Sequence, residues 1–411
     1  MTDLRSVYAA SLANLHYDLC NLTTGIELSI SGYNEKQEDF LDFILDRLTN
    51  FTIKSERFSI MKERVERMYK NFQTDQPDDH CSYYNSYLLN QTMWHNDDCL
   101  AVLASLTEQD LRDFIPKLFS TLHIECFVFG NSSAEQALQF YRKFTAKLSG
   151  SFHSRPLLPS QRCQLRDLEL QPGSERVFRS KNSVHQSHAL LNYYQCGTQQ
   201  TRENMLLELT HQIIKEACFD QLRTKEQLGY IVSCRVRRFS SGQGLAITVQ
   251  SEKPPHQLDQ RIENFLRSTQ GSLREMEDSE FNQHVSALAT LRLEKPKTLT
   301  AKYWRYQREI IQETYQFDKD EVEVALLRQL TKSDIETFYQ DVFLAEEKRR
   351  KLSCEVLSLC RPDRVEEGGQ SEGRLVRDIV RFKSSLAAFP TRQPAVALDT
   401  LRRETKIAFL L

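Results

Sequence analysis

The chain has 411 residues, of which 40% are hydrophobic and 27% charged, with a formal net charge of −2. That is enough chain for two or three domains with sizeable cores, and the near-neutral balance gives no pull toward nucleic acid or an anionic membrane. No apolar run approaches the roughly 18 residues of a membrane span, and Met1-Thr-Asp-Leu-Arg5 lacks the basic-then-apolar order of a secretory signal.

In chain order, Leu4, Val7, Tyr8, Leu12 and Leu15 are spaced as on one helix face, so the chain opens inside an element. A strand over 16–20 turns through Asn21-Leu-Thr-Thr-Gly25 into an alternating strand, Ile26 to Ser31. Asn34 can cap a helix carrying Phe40, Leu41, Ile44, Leu45 and Leu48. Ser55 caps another, with Phe58, Met61, Val65 and Met68 on one face. Pro77 interrupts before a helical pattern over 82–89, and Thr107 caps the helix of Leu111, Phe114, Ile115 and Leu118. A strand over 122–129 and a helix over about 134–148 follow. In Phe152-His-Ser-Arg-Pro-Leu-Leu-Pro-Ser160 two prolines break helix and sheet alike, which sets a boundary between units 1–155 and 156–411.

Beyond it, a helical pattern from Thr201 ends near Leu222, and β-rich runs at 228–236 and 245–250 flank the turn Phe239-Ser-Ser-Gly-Gln-Gly244. The polar, glycine-bearing run 361–372 predicts a mobile loop. A short helix over 378–386 and the stop at Phe389-Pro390 predict a docked tail.

The second unit repeats the first. Gly25-Ile-Glu-Leu-Ser-Ile30 answers Gly244-Leu-Ala-Ile-Thr-Val249, Ser55-Glu-Arg-Phe58 answers Asp278-Ser-Glu-Phe281, and Leu106-Thr-x-x-Asp-Leu-x-x-Phe114 answers Leu330-Thr-x-x-Asp-Ile-x-x-Phe338. All three pairs lie about 220 residues apart and keep one order, the mark of duplicated domains rather than a solenoid. The expected fold is α+β: two tandem homologous domains, each a mainly antiparallel sheet covered by helices.

Ten cysteines between Cys20 and Cys360 include no Cys-x-x-Cys pair and read as the reduced thiols of a cytoplasmic protein. Asn21-Leu-Thr23, Asn50-Phe-Thr52 and Asn131-Ser-Ser133 fit the glycosylation pattern but carry no weight without secretion. Neither His-x-x-Glu-His nor His-Glu-x-x-His occurs, nor a Gly-x-Ser-x-Gly elbow. His185 and His188 lie three apart on a strand-like stretch and so face opposite sides. His95-Asn-Asp-Asp-Cys99 and Asp78-Asp-His80-Cys81 read as solvated loops capping the helices that follow, and Arg235, Arg237 and Arg238 as solvated edge-strand charges or, in the rival reading, an anion-binding run.

One corner stands out. Arg223 and Tyr230 sit seven residues apart where the helix stops and the first β-run begins. A fixed cation and a phenol there could grip a peptide backbone and a developing oxyanion. The same pair also reads as an arginine on a helix C-terminal dipole and a tyrosine packed in a hairpin.

Leu222-Arg-Thr-Lys-Glu-Gln-Leu-Gly-Tyr-Ile-Val232, the run from Gly244 to Pro255, and Arg155-Pro-Leu-Leu-Pro-Ser160 resemble the pitrilysin/insulinase family of zinc metallopeptidases. Leu15-His-Tyr-Asp-Leu19, Ser31 to Gln37, Glu294-Lys-Pro-Lys297 and Phe382-Lys-Ser-Ser-Leu386 extend the resemblance over essentially the whole chain. It implies four related α+β domains in two bowl-like halves, with this chain as the C-terminal half, domains three and four. It further implies that zinc belongs to the complete enzyme, its ligands in the N-terminal half, and that this chain binds none and is inactive alone.

By the same resemblance, Arg223 bonds the substrate backbone near the scissile bond, Tyr230 donates to the oxyanion, and Phe219 walls the pocket just after the cut. Cys218, next to Phe219, becomes a thiol whose alkylation would obstruct that pocket. The implied partners are short or amyloid-prone peptides, the N-terminal catalytic half or a full-length homologue, and a possible homodimer. The rival readings are a stand-alone peptide-binding or regulatory module and a truncated product. The opening helical pattern three residues after Met1 favours truncation.

Overall fold

A computed structural model describes residues 10–360 and 374–392. Leu4, Val7 and Tyr8 of the opening pattern and the predicted loop 361–372 lie outside the described residues. The N-terminal part begins with the hairpin of β1 (His16–Leu22) and β2 (Gly25–Ser31), in which Leu22 faces Gly25 across the turn. Five helices follow: α1 (Gln37–Thr49), α2 (Ser55–Asn71), α3 (Pro77–Leu89), α4 (Asn96–Ser105) and α5 (Glu108–Ser120). Thr107 caps α5 in a reciprocal box with Asp110. Next come β3 (Thr121–Leu122), α6 (Ala134–Phe152) and β4 (Arg155–Pro156), which pairs in parallel with β3.

The strand expected over 122–129 ends at Leu122. Residues 123–129 join no ladder; instead Phe127 and Phe129 pack on Tyr303 and Tyr306, and Glu125 accepts the Tyr315 hydroxyl at 2.6 Å. An alternating sequence makes a strand only when another strand lies beside it, and none of the described residues does so there.

The C-terminal part is built on β6 (Ser174–Asn182), β7 (His188–Thr198), β8 (Ile231–Arg238), β9 (Gly242–Ser251) and β10 (Arg350–Ser358), after the short β5 (Leu168–Glu169). The sheet order is β6-β10-β7-β9-β8, antiparallel except for the β6–β10 pair. Its helices are α7 (Thr201–Phe219), α8 (Pro255–Glu275), α9 (Asp278–Arg292), α10 (Leu299–Ile311), α11 (Lys319–Leu327) and α12 (Lys332–Tyr339). The tail docks as expected: α13 (Ile379–Ser384) buries Phe382, and β11 (Ala387–Ala388) pairs with β5.

Period-two alternation sorts the sheet into two apolar faces. Leu190, Tyr194, Leu245, Ile247 and Val249 pack with α7, α8, α9, α11 and α12. Ala189, Leu191, Tyr193, Leu352, Cys354 and Val356 form the opposite core, closed by Cys81, Leu88 and Leu89 of α3 and by Phe382. Each such large side chain contributes roughly 1.5–3 kcal/mol of burial. The stretch Asp78–Cys81 is therefore no solvated loop. It forms the first turn of α3, with His80 and Cys81 buried and the His80 ring 2.6 Å from the Phe72 carbonyl oxygen.

The arginines beside the hairpin turn are also structural. Arg237 donates to the Ser82 carbonyl and the Ser86 hydroxyl, both at 2.6 Å, which ties β8 to α3. Arg238 donates to Glu208 of α7 at 2.6 Å, and Arg292 of α9 donates to the same carboxylate. Burial pushes the Glu208 carboxyl up, but Arg238 and Arg292 outweigh it and hold it below the usual range. A depressed folded-state pKa contributes stability that is present above the unfolded value and lost as pH falls through the folded one. Glu208→Gln should therefore cost about 2 kcal/mol near pH 7, between the values for exposed and buried pairs. Urea titrations of both proteins should show that gap closing as pH falls below about 4.3, the ordinary glutamate value.

Candidate functional site

The corner after α7 is a locally widened turn. The helix does not stop at Phe219 but runs into a π-turn, Asp220–Lys225. Inserting a residue into the helical ladder re-aims the side chains that follow, a distortion found often at functional sites. Glu226 N–H donates to the Gln221 carbonyl and Leu228 N–H to the Leu222 carbonyl, both at 3.0 Å, and Gln227 takes the left-handed φ of 50° that reverses the chain.

Three features hold the reversal. Leu222 and Leu228 are buried in the main core. The Glu226 carboxylate accepts two bonds from Arg261 at 2.6 Å, whose guanidinium holds it below the usual carboxylate range. Gly229 lies against the Gln250 backbone, where any Cβ would collide with the carbonyl, and Ser251 Oγ donates to the Leu228 carbonyl. The backbone entering β8 is thereby pinned to β9.

On this fixed corner the structure brings the three expected residues together. The Arg223 guanidinium carbon lies 5.4 Å from the Phe219 ring centroid and 4.8 Å from that of Tyr230. Tyr230 is 83% exposed and Phe219 45% exposed, so the rings face solvent rather than the core. Among the described residues, no hydrogen bond or ion pair engages the guanidinium or the Tyr230 hydroxyl. The arrangement presents an open set of planar donors and one phenol donor on a rigid support, able to bind an extended backbone.

Cys218 does not belong to this surface. It is fully buried in the core, one helical step away from Phe219, which removes the thiol from alkylating reagents in the folded chain. His185 lies in the loop before β7 rather than on a strand and reaches the Thr74 carbonyl at 3.0 Å, whereas His188 opens β7 and accepts from Ser358 N–H at 3.0 Å. His95 caps α4 through Nδ1. Among the described residues no group of three or more His, Cys, Asp or Glu is placed to hold a metal ion.

A cleft of about 730 Å³, lined by Arg292, Lys295, Lys297, Trp304 and Arg308 among others, involves none of the corner residues. Sequence reasoning missed it because its walls come from α9, α10 and the loop between them, with no local motif to mark it.

The fold resembles solved peptidase structures. Pitrilysin superposes with a TM-score of 0.80 at 20% identity, covering 94% of this chain and 41% of that one. The peptidase M16 inactive domain from Pseudomonas fluorescens does so at 0.62 and 11%, covering 87% and 84%. The fold is thus that of these solved structures.

The sequence narrows this further. Residues 4–102 match the middle or third domain of peptidase M16, and residues 209–307 the C-terminal lobe domain 4 of PqqF-like PQQ synthase. Insulin-degrading enzyme of Bos taurus and that of Homo sapiens are each 40% identical over 404 residues, 95% of this chain and 40% of theirs. The chain belongs to the insulinase family of metallopeptidases, in its C-terminal half, and spans about 40% of the length of these relatives.

If Gly229 sets the corner, Gly229→Ala should lower stability by at least about 2 kcal/mol in urea denaturation, an overpacking cost. It should also shift the backbone NMR signals of Arg223 and Tyr230. Tyr230→Phe should leave stability within about 0.5 kcal/mol, because an exposed, unbonded phenol supports no packing.

Proposed function

We propose that this chain is the non-zinc-binding half of an insulinase-type endopeptidase and supplies groups that hold a peptide at the scissile bond. The units 1–155 and 156–411 are its two domains in this reading. The observation that carries it is the Arg223 guanidinium, flanked by two solvent-facing rings and otherwise unengaged, within a chain 40% identical to insulin-degrading enzymes. Arg223 donates to a backbone carbonyl of the substrate. Tyr230 donates its hydroxyl proton to the oxygen that gains charge as the carbonyl becomes tetrahedral, an interaction strongest in the transition state. Phe219 forms an apolar wall for the side chain beyond the cut.

Activation of the attacking water is assigned to the N-terminal half, which in this family carries the zinc; none of that step is assigned to residues here. The substrates in this reading are short, unfolded or amyloid-prone peptides, whose exposed backbones an open corner can engage. The chain works in the cytoplasm, although one Arabidopsis thaliana relative, 33% identical, is named peroxisomal. No helix among the described residues is long and apolar enough to cross a membrane.

A second reading, a module that grips peptides without cutting them or regulates a full-length enzyme, draws on the resemblance to the peptidase M16 inactive domain from Pseudomonas fluorescens. Mixing the chain with a separately expressed N-terminal half of an insulinase and following a fluorogenic peptide separates the two. The half-enzyme reading expects no cleavage by the chain alone and cleavage on mixing. Tight peptide binding without rescue supports the module, and cleavage by the chain alone overturns the division of labour. In the mixture, Tyr230→Phe should lower kcat by about a hundred- to a thousand-fold with little change in KM. A loss of less than about twofold would remove Tyr230 from the reaction.

A further inference from the structure

The turn that carries Arg223 is rich in charge, and its charges are matched with one exception. Lys215 Nζ lies 3.6 Å from the Glu216 carboxylate, Lys225 Nζ 2.8 Å from that of Asp220, and the Arg261 guanidinium 2.6 Å from that of Glu226. Gln221 Nε2 donates to the Glu226 carboxylate as well, at 2.7 Å. These are all the acidic side chains from Glu216 to Glu226, and each already has a cation other than Arg223.

The exception matters because a guanidinium beside carboxylates normally takes one, often through two parallel N–H···O bonds. Elsewhere in this chain Glu208, Glu263 and Glu355 each accept from an arginine. At Arg223 only rings lie close, with the Phe219 and Tyr230 centroids 5.4 and 4.8 Å from the guanidinium carbon. A ring takes the face of a planar cation and leaves its N–H edge for a ligand. The Tyr230 hydroxyl, on a side chain 83% exposed, supplies a further donor on the same corner. A forked donor, a phenol and no competing acid suit a carboxylate better than a neutral carbonyl, which has one oxygen and no charge to offer the fork.

Peptide hydrolysis makes such a group at this place. In the half-enzyme reading, on which this inference rests, the scissile carbonyl lies at Arg223 and Tyr230. Its C–N bond breaks and its carbon gains the oxygen of water. One of the water's protons ends on the leaving amine, and the other passes to solvent, because an α-carboxyl titrates at about 3.5.

We propose that the corner is also a receptor for the free α-carboxylate of a peptide. It holds the amino-side product after the cut, and it binds intact peptides by their C-terminal ends. Charge-assisted bonds are shorter and stronger than those a neutral carbonyl accepts. The acid is therefore held more tightly than the amide it came from, and its release restrains turnover.

The test uses two fluorescein-labelled peptides of one unstructured, uncharged sequence, one ending in the free carboxylate and the other in the carboxamide. Both are titrated into the full chain and read by anisotropy. The acid should bind at least about tenfold more tightly, and Arg223→Gln should reduce it to the affinity of the amide. Arg223→Lys, which keeps the charge and loses the fork, should recover only part of the difference. Both variants should keep the urea midpoint of the parent chain. Equal affinities for acid and amide, a difference that survives Arg223→Gln, or no binding of either peptide up to about 1 mM would overturn the proposal. Its failure is separable from that of the catalytic reading. Equal affinities alongside a loss of kcat in Tyr230→Phe remove the carboxylate receptor and leave the reaction, whereas tight acid binding with kcat intact does the reverse.

Discussion

The structure rests on one requirement, that the central strand β7 be covered on both faces. Leu190, Leu191, Tyr193 and Tyr194 are all at most 1% exposed and alternate between two cores. The helices of the C-terminal part supply one cover. The other is α3, from the opposite end of the chain, together with the docked tail. Residues of α3 and of the C-terminal sheet are thus joined by shared burial rather than by chain continuity alone. The order of consequences runs outward from there: β7 fixes β9, the Gln250 backbone of β9 fixes Gly229, and Gly229 fixes where Tyr230 begins its strand.

Local chemistry was legible in the sequence wherever it suffices. The capping box at Thr107, its repeat at Thr331, the hairpin closed by Phe239 to Gly244, and the meeting of Arg223 with Tyr230 all follow from spacings of a few residues. The errors share a cause. The strand expected at 122–129, the solvated loop expected at Asp78–Cys81 and the free charges expected at Arg237 and Arg238 each depend on a partner far along the chain. Periodicity names a residue's face but not what covers it. Cys218 was misjudged for the same reason, since adjacency to Phe219 in sequence is a turn of about 100° on a helix, from surface to core. The π-turn has no sequence signature.

The contrast among arginines bears on function. Arg238 and Arg292 converge on Glu208, Arg261 closes on Glu226, and Arg349 reaches Glu263. Those guanidinium groups are spent on structure. Arg223 instead lies between two rings that order it without occupying its donors. Because the rings and the turn limit its rotamers in advance, a ligand that bonds it pays less of the ordering entropy that a free arginine would require.

In the proposed reading, rigidity is what lets such a corner serve chemistry whose other components lie in a separate segment. A donor contributes to a transition state only when it is held within a few tenths of an ångström of where charge develops. Across an interface that precision cannot come from sequence proximity, so both surfaces must be set before they meet. Here the setting is done by buried leucines on either side of the reversal, a carboxylate gripped twice by Arg261, and a glycine with no room for a side chain. None of these groups bonds the Arg223 guanidinium, and each can be altered without touching the donors. The precision of the corner is therefore a property of the core that carries it.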